Sequence, residues 1–131
     1  MTSTFSFTKL VVHDVEKLAA FYSAVYGLHA VNRVRGESVG QEAIDEIMLS
    51  ADPKAPFGSF VLLKYVERGP SPNGELILGF TTDDLPALLD RVRAAGGSVY
   101  APIKDMPELK IRVAFATDPE GHLAELVQVV T

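Results

Sequence analysis

Apolar residues dominate positions 5–13 (FSFTKLVVH), break at Asp14, and resume at helical spacing in Val15, Leu18, Ala19, Phe21, Tyr22 and Val25. The first run is rich in β-branched and aromatic residues and has the length of a strand. The second run places one apolar stripe on a helix, with Asp14 as N-cap and Gly27 as the residue that ends it. Three further strands are predicted around 28–35, 43–50 and 58–66. The Gly36–Gly40 turn region separates the first two, and DPKAPFG separates the second pair. The segment GPSPNGE (69–75) is the strongest break in the chain. Beyond it the order repeats: a strand over 76–82, a helix from Asp84 to Ala95, a short strand near 98–101, and strands over 110–117 and 122–130 joined by a DPEG turn. FTKLVVHDVEKLAAFYSAVYGL (7–28) is thus echoed about seventy residues later by LILGFTTDDLPALLDRVRAAGG (76–97). The pattern predicts α+β architecture: two βαβββ modules in tandem, about 5–67 and 75–130, joined by a linker over 68–74 in one domain.

With 131 residues the chain can bury one sizeable core, and 47% hydrophobic with 22% charged residues is ordinary for a folded domain. A net charge of −5 without a basic cluster argues against nucleic acid as a partner. No apolar stretch approaches the roughly 20 residues of a membrane helix. MTSTFSF lacks the charged and apolar regions of a secretory leader, so a cytoplasmic location is expected. Having no cysteine removes disulfides, thiolate nucleophiles and Cys-based metal sites. No phosphate-binding glycine loop is present either, because GESVG and GPSPNG lack the spacing and the strand-to-helix context.

Three segments, HDVEKLAAFYSAVYGL (13–28), DDLPALLDRVRAAGG (83–97) and AFATDPEGHLAELVQ (114–128), resemble the vicinal oxygen chelate superfamily. That superfamily includes glyoxalase I, the bleomycin-resistance proteins, fosfomycin-resistance enzymes and extradiol dioxygenases. The resemblance implies a glyoxalase-like fold in which each module curls a mixed sheet around a shared cavity, and a homodimer. It also implies where metal-dependent members hold a divalent cation: one position on the first strand and one on the last strand of each module. Those positions fall on Phe7 and Ile77, each seven residues before the helix-capping Asp14 or Asp84, and on Leu62 and Glu125. Glu125 alone offers a lone pair, so no cofactor and no metal site of the usual kind is expected. Of the histidines, His13 is expected at the turn before the helix, His29 at the helix C-terminus, and His122 pointing outward into solvent.

Strand alternation places Phe7, Lys9 and Val11 on one face, together with Phe60, Leu62 and Lys64 of the fourth strand. In the second module it groups Ile77, Gly79 and Thr81 with Leu123, Glu125 and Val127. The ligand-binding set expected from this is Phe7, Lys9, Phe60, Leu62, Lys64, Ile77 and Leu123, around a small apolar or aromatic ligand. Glu125 has three readings. Unpaired, it serves as general acid or base; paired with Lys9 or Lys64, it becomes a polar anchor; bonded to backbone or to Arg112, it is structural. Phe21, Tyr22 and Tyr26 read as packing, and Asp45, among Glu42, Asp45 and Glu46, reads as the wet side of a strand. The expected function is small-molecule binding of the bleomycin-resistance type without a metal. The rival is a lyase, isomerase or dioxygenase of the same superfamily using Glu125 for proton transfer or an atypical metal site.

Overall fold

The computed structural model of the protein describes residues 5–38, 42–56, 58–70 and 76–130. The elements run β1 (Thr8–Val11), α1 (Val15–Tyr26), β2 (His29–Ser38), β3 (Glu42–Ser50), β4 (Phe60–Tyr65), β5 (Ile77–Thr81), α2 (Leu85–Ala94), β6 (Ser98–Met106), β7 (Ile111–Thr117) and β8 (Leu123–Val129). Part of the expected Gly36–Gly40 turn and most of the 68–74 linker lie outside the described residues.

Two mixed four-stranded sheets result, ordered β1-β4-β3-β2 and β5-β8-β7-β6. In each, the strand before the helix pairs parallel with the last strand of its module, and the other pairings are antiparallel. This is the tandem βαβββ arrangement that the repeated pattern predicts. By contacts the chain divides into two compact units. The first holds α1 as far as Ser23 together with β1–β4; the second holds Ala24–Tyr26 and everything from β5 onward.

Local chemistry explains the helix ends. The Asp14 carboxylate accepts from the backbone N–H of Lys17 at 3.0 Å, and Asp84 does the same for Ala87 at 3.1 Å. Gly27 ends α1 at φ 70°, a left-handed conformation that favours glycine. A second glycine is required for a different reason. A Cβ at Gly58 would collide with the Leu49 backbone, so the approach to β4 tolerates no side chain there.

Each helix covers one face of its sheet. In the first unit α1 buries Leu18, Phe21 and Tyr22, and the Tyr22 ring meets Phe60 edge-on with centroids 5.1 Å apart. In the second, α2 buries Leu85, Leu88, Leu89 and Val92, and the N–H of Leu85 donates to the Gln128 side chain at 2.8 Å. Tyr26 stacks on Phe80 with centroids 3.8 Å apart, and Arg91 donates to the Val25 carbonyl. Burial, assisted by the negative charge of Asp118, raises the Tyr26 hydroxyl pKa well above its ordinary value.

Strand β6 extends to Met106, well past the expected 98–101. The sequence suggests a stop at Pro102, which has no N–H for a ladder. On an edge strand that loss is tolerated, and β6 accommodates it with register shifts between Val99 and Lys104.

Candidate functional site

Sheet register decides which side chains turn away from the helices. In the first unit Lys9 pairs with Val61, Leu10 with Leu62 and Val11 with Leu63. Side chains of paired residues share a face, so Leu62 lies with Leu10 and Phe60 against α1, where Leu62 is fully buried. The expected grouping of Phe60, Leu62 and Lys64 with Phe7 and Lys9 is therefore corrected by one residue. The face away from α1 carries Lys9, Val11, Val61, Leu63, Ile44, Glu46 and Met48. The reason the sequence misled is that FVLLKY is apolar on both sides; Val61, Leu62 and Leu63 are all buried, so no alternation marks the register.

One charge pair sits on this apolar face. The Lys9 Nζ donates to Glu46 Oε1 at 2.7 Å, with side-chain exposures of 32% and 2% respectively. The Phe7 ring lies 5.9 Å from the same ammonium. Glu46 was the missed residue: it lies in a run of three carboxylates, and nothing in EAIDEIM distinguishes the inward acid from its outward neighbour. Asp45 faces the other way and is not simply wet, since Arg33 grips it through two hydrogen bonds of 3.0 and 2.8 Å. Those bonds hold the Asp45 carboxyl below the usual carboxylate range and raise the Arg33 guanidinium. His13, Arg33, Asp45 and Lys64, with Asp14, Val15 and Glu16, line a surface hollow of about 300 Å³ on the helix side.

In the second unit the expected alternation holds. Ile77 pairs with Leu123, Gly79 with Glu125 and Thr81 with Val127, while Ala124, Leu126 and Gln128 turn toward α2. Glu125 is half-buried between Gly79 on one neighbouring strand and Phe115 on the other. It has no hydrogen-bond or ion-pair partner among the described residues. The anticipated Arg112 contact does not form, because Arg112 lies one residue out of phase and pairs with Asp105 at 3.2 Å. An added Cβ at Gly79 would meet nothing within 4 Å, so the space beside the carboxylate is open.

His122 corrects another expectation. It is buried at 9% exposure, and its Nδ1 lies 2.8 Å from Asp118 Oδ2. Asp118 Oδ1 also accepts from the backbone N–H groups of Glu120 and His122. The DPEG turn thus folds its histidine back onto its own aspartate rather than releasing it to solvent. Period-two alternation misassigned it because His122 precedes β8 and belongs to the turn.

The register also locates the positions that the resemblance gives to metal ligands. Lys9 and Gly79 each stand five residues before the capping aspartate, and their partners Val61 and Glu125 are therefore equivalent. Val61, not Leu62, is the first-module counterpart of Glu125. Phe7, Ile77 and Val61 have no lone pair, and among the described residues no three His, Cys, Asp or Glu side chains gather where they could hold a metal. These side chains do not fit the nitrogen and oxygen donor set that a divalent cation needs.

Two tandem βαβββ units with helices on one face of each sheet define a glyoxalase-like fold. The family model for the Glyoxalase/Bleomycin resistance protein/Dioxygenase superfamily matches residues 4–126, and the chain belongs to that family. It is 28% identical over 127 residues to a probable lactoylglutathione lyase of Vibrio cholerae, covering 92% of this chain and 87% of that protein. It is also 28% identical over 125 residues to a lactoylglutathione lyase of Arabidopsis thaliana; the match covers 89% of this chain but spans only 41% of that enzyme's length. Among solved structures, a glyoxalase family protein from Bacillus cereus superposes with TM-score 0.79 at 17% identity, covering 96% of this chain and 93% of that one. TioX from Micromonospora superposes with TM-score 0.65 at 19% identity, covering 98% and 100%. At such identities the structural likeness speaks for the fold.

Proposed function

We propose that the protein binds a small apolar or aromatic molecule against the face of its second sheet that turns away from α2, without a divalent metal. The observation that carries this is the composition of that face. In the second unit Ile77, Leu123, Val127 and Phe115 make an apolar wall around the Glu125 carboxylate, which has no partner among the described residues. Such walls, with a few placed polar groups, are how proteins hold small organic ligands. Metal-independent binding accords with Phe7, Ile77 and Val61 standing where the family's metal-dependent members keep ligands. The acidic charge and the absence of a basic cluster accord with a partner other than nucleic acid. A homodimer in the cytoplasm is part of the same proposal and rests on the family.

A second reading is enzymatic, and one observation favours it: among the described residues Glu125 has no partner to occupy it. In that case it takes or gives a proton in a lyase or isomerase reaction. A thermal-shift panel of aromatic compounds, run with and without chelator, tests the first reading, because a ligand selective for the native state raises the melting temperature. Stabilisation that chelator leaves unchanged supports it; stabilisation that vanishes with chelator and returns with metal refutes it. Turnover lost in Glu125→Gln while ligand still binds would establish the second.

A further inference from the structure

The two modules treat the same row of the sheet in opposite ways. In the first, Lys9 stands beside Val61 and reaches a carboxylate of its own module, Glu46, at 2.7 Å. In the second, the place of Lys9 is taken by Gly79 and the place of Val61 by Glu125. The carboxylate is present, no ammonium among the described residues bonds to it (Lys104 stands on the same face but two strands away), and there is open room above Gly79. We infer that Glu125, Gly79 and Phe115 form a receptor for an organic cation, in which the ligand supplies the ammonium that Lys9 provides in the first module and Gly79 does not in the second.

Each part of this site has a physical task. A half-buried carboxylate among apolar side chains lacks both full hydration and a counter-charge, and a cationic guest supplies the latter. Phe115, the lateral neighbour of Glu125 on β7, puts an aromatic side chain on the same face of the sheet, and an aromatic ring suits a cation as well as an aromatic group. Ile77, Leu123 and Val127 offer the apolar part of the ligand its contacts. Gly79 is neither in a left-handed conformation nor tightly packed, so the backbone does not demand glycine at this point. The net charge of −5 adds a favourable long-range field for a cation and an unfavourable one for an anion.

The inference rests on the small-molecule reading above and narrows it to aromatic or apolar amines. Three probes sharing one ring separate the chemistry: benzylamine, protonated at pH 7; benzyl alcohol, neutral; and phenylacetate, anionic. Titrations followed by ligand-observed NMR should rank them in that order, with benzylamine about tenfold tighter than benzyl alcohol, as expected for a charge-assisted hydrogen bond. Glu125→Gln should erase the preference while retaining the fold, checked by circular dichroism. Gly79→Lys should erase it too, by giving the second module its own ammonium; this variant keeps the carboxylate and so guards against a trivial loss of structure. A preference for phenylacetate, or a benzylamine preference that survives both substitutions, would overturn the cation receptor. Equal binding of benzylamine and benzyl alcohol, unchanged in Glu125→Gln, would overturn the receptor and leave small-molecule binding standing. Failure of all three probes to bind at millimolar concentration would overturn both.

Discussion

The face of the first sheet turned away from α1 contains both members of an ion pair, whereas on the corresponding face of the second sheet Glu125 has no bonded partner among the described residues and lies beside an opening. Glu46 is almost completely buried and is held by Lys9. Glu125 is half-buried and unpaired among the described residues. The same supersecondary unit, repeated, has been put to two uses. In one copy a polar pair is locked into the packing; in the other a polar group is left available. Strand order, the parallel pairing before each helix and the aspartate N-caps are common to both, so the contrast at this row of the sheet comes from a handful of side chains. A repeated fold supplies equivalent positions, and function is written in how those positions diverge.

The largest expected effect tests the face assignment. Leu62→Ala removes a fully buried side chain from beneath α1 and should cost about 3 kcal/mol of stability in chemical denaturation. Ile77→Ala, at a residue 56% exposed, should cost under about 1 kcal/mol and act on ligand affinity instead. A Leu62→Ala variant of native stability but weakened binding would return Leu62 to the ligand face. Next comes the charge contrast. Lys9→Met strands the Glu46 carboxylate and should cost about 2 kcal/mol, with much of it restored in Lys9→Met/Glu46→Leu. Glu125→Gln should shift stability by less than about 0.5 kcal/mol. If the two single variants lose equal stability, the distinction between an internal pair and an available acid fails.

Smaller effects sharpen the comparison. His122→Leu removes the ring that lies 2.8 Å from Asp118 and should cost about 1.5 kcal/mol, read as a lowered melting temperature. The smallest effect is a pH dependence in the first module. The Arg33 hydrogen bonds hold the folded-state pKa of Asp45 below its unfolded value. The contribution is therefore complete above the ordinary Asp range near pH ~4 and is lost as pH falls through the lower folded value. Asp45→Asn should flatten the stability profile below pH ~4 and lower stability by a roughly constant amount near neutrality, where the contribution of the carboxylate is complete. Added salt should weaken the effect, because the pair is partly exposed.

Much of the architecture was legible along the chain. Both capping aspartates, the glycine that ends α1 and the repeated order of elements act locally, through hydrogen bonds and backbone conformations spanning a few residues. The second module's alternation was readable because β8 contrasts its two sides, with Ala124 and Leu126 buried and Leu123 and Glu125 half-exposed. Strand β4 has no such contrast, and a one-residue ambiguity there turned Leu62 outward and hid Val61. The Lys9–Glu46 pair joins residues 37 positions apart and bridges across β4. Asp118 and His122, though four residues apart, meet because the turn closes on itself and burial favours the contact.

The sequence by itself determined the two modules, their helices and the family, because periodicity and capping are properties of neighbouring residues. Only the tertiary structure decided which acid is answered and which stands alone. That choice depends on register and on side chains brought together from distant strands, and no local pattern encodes either.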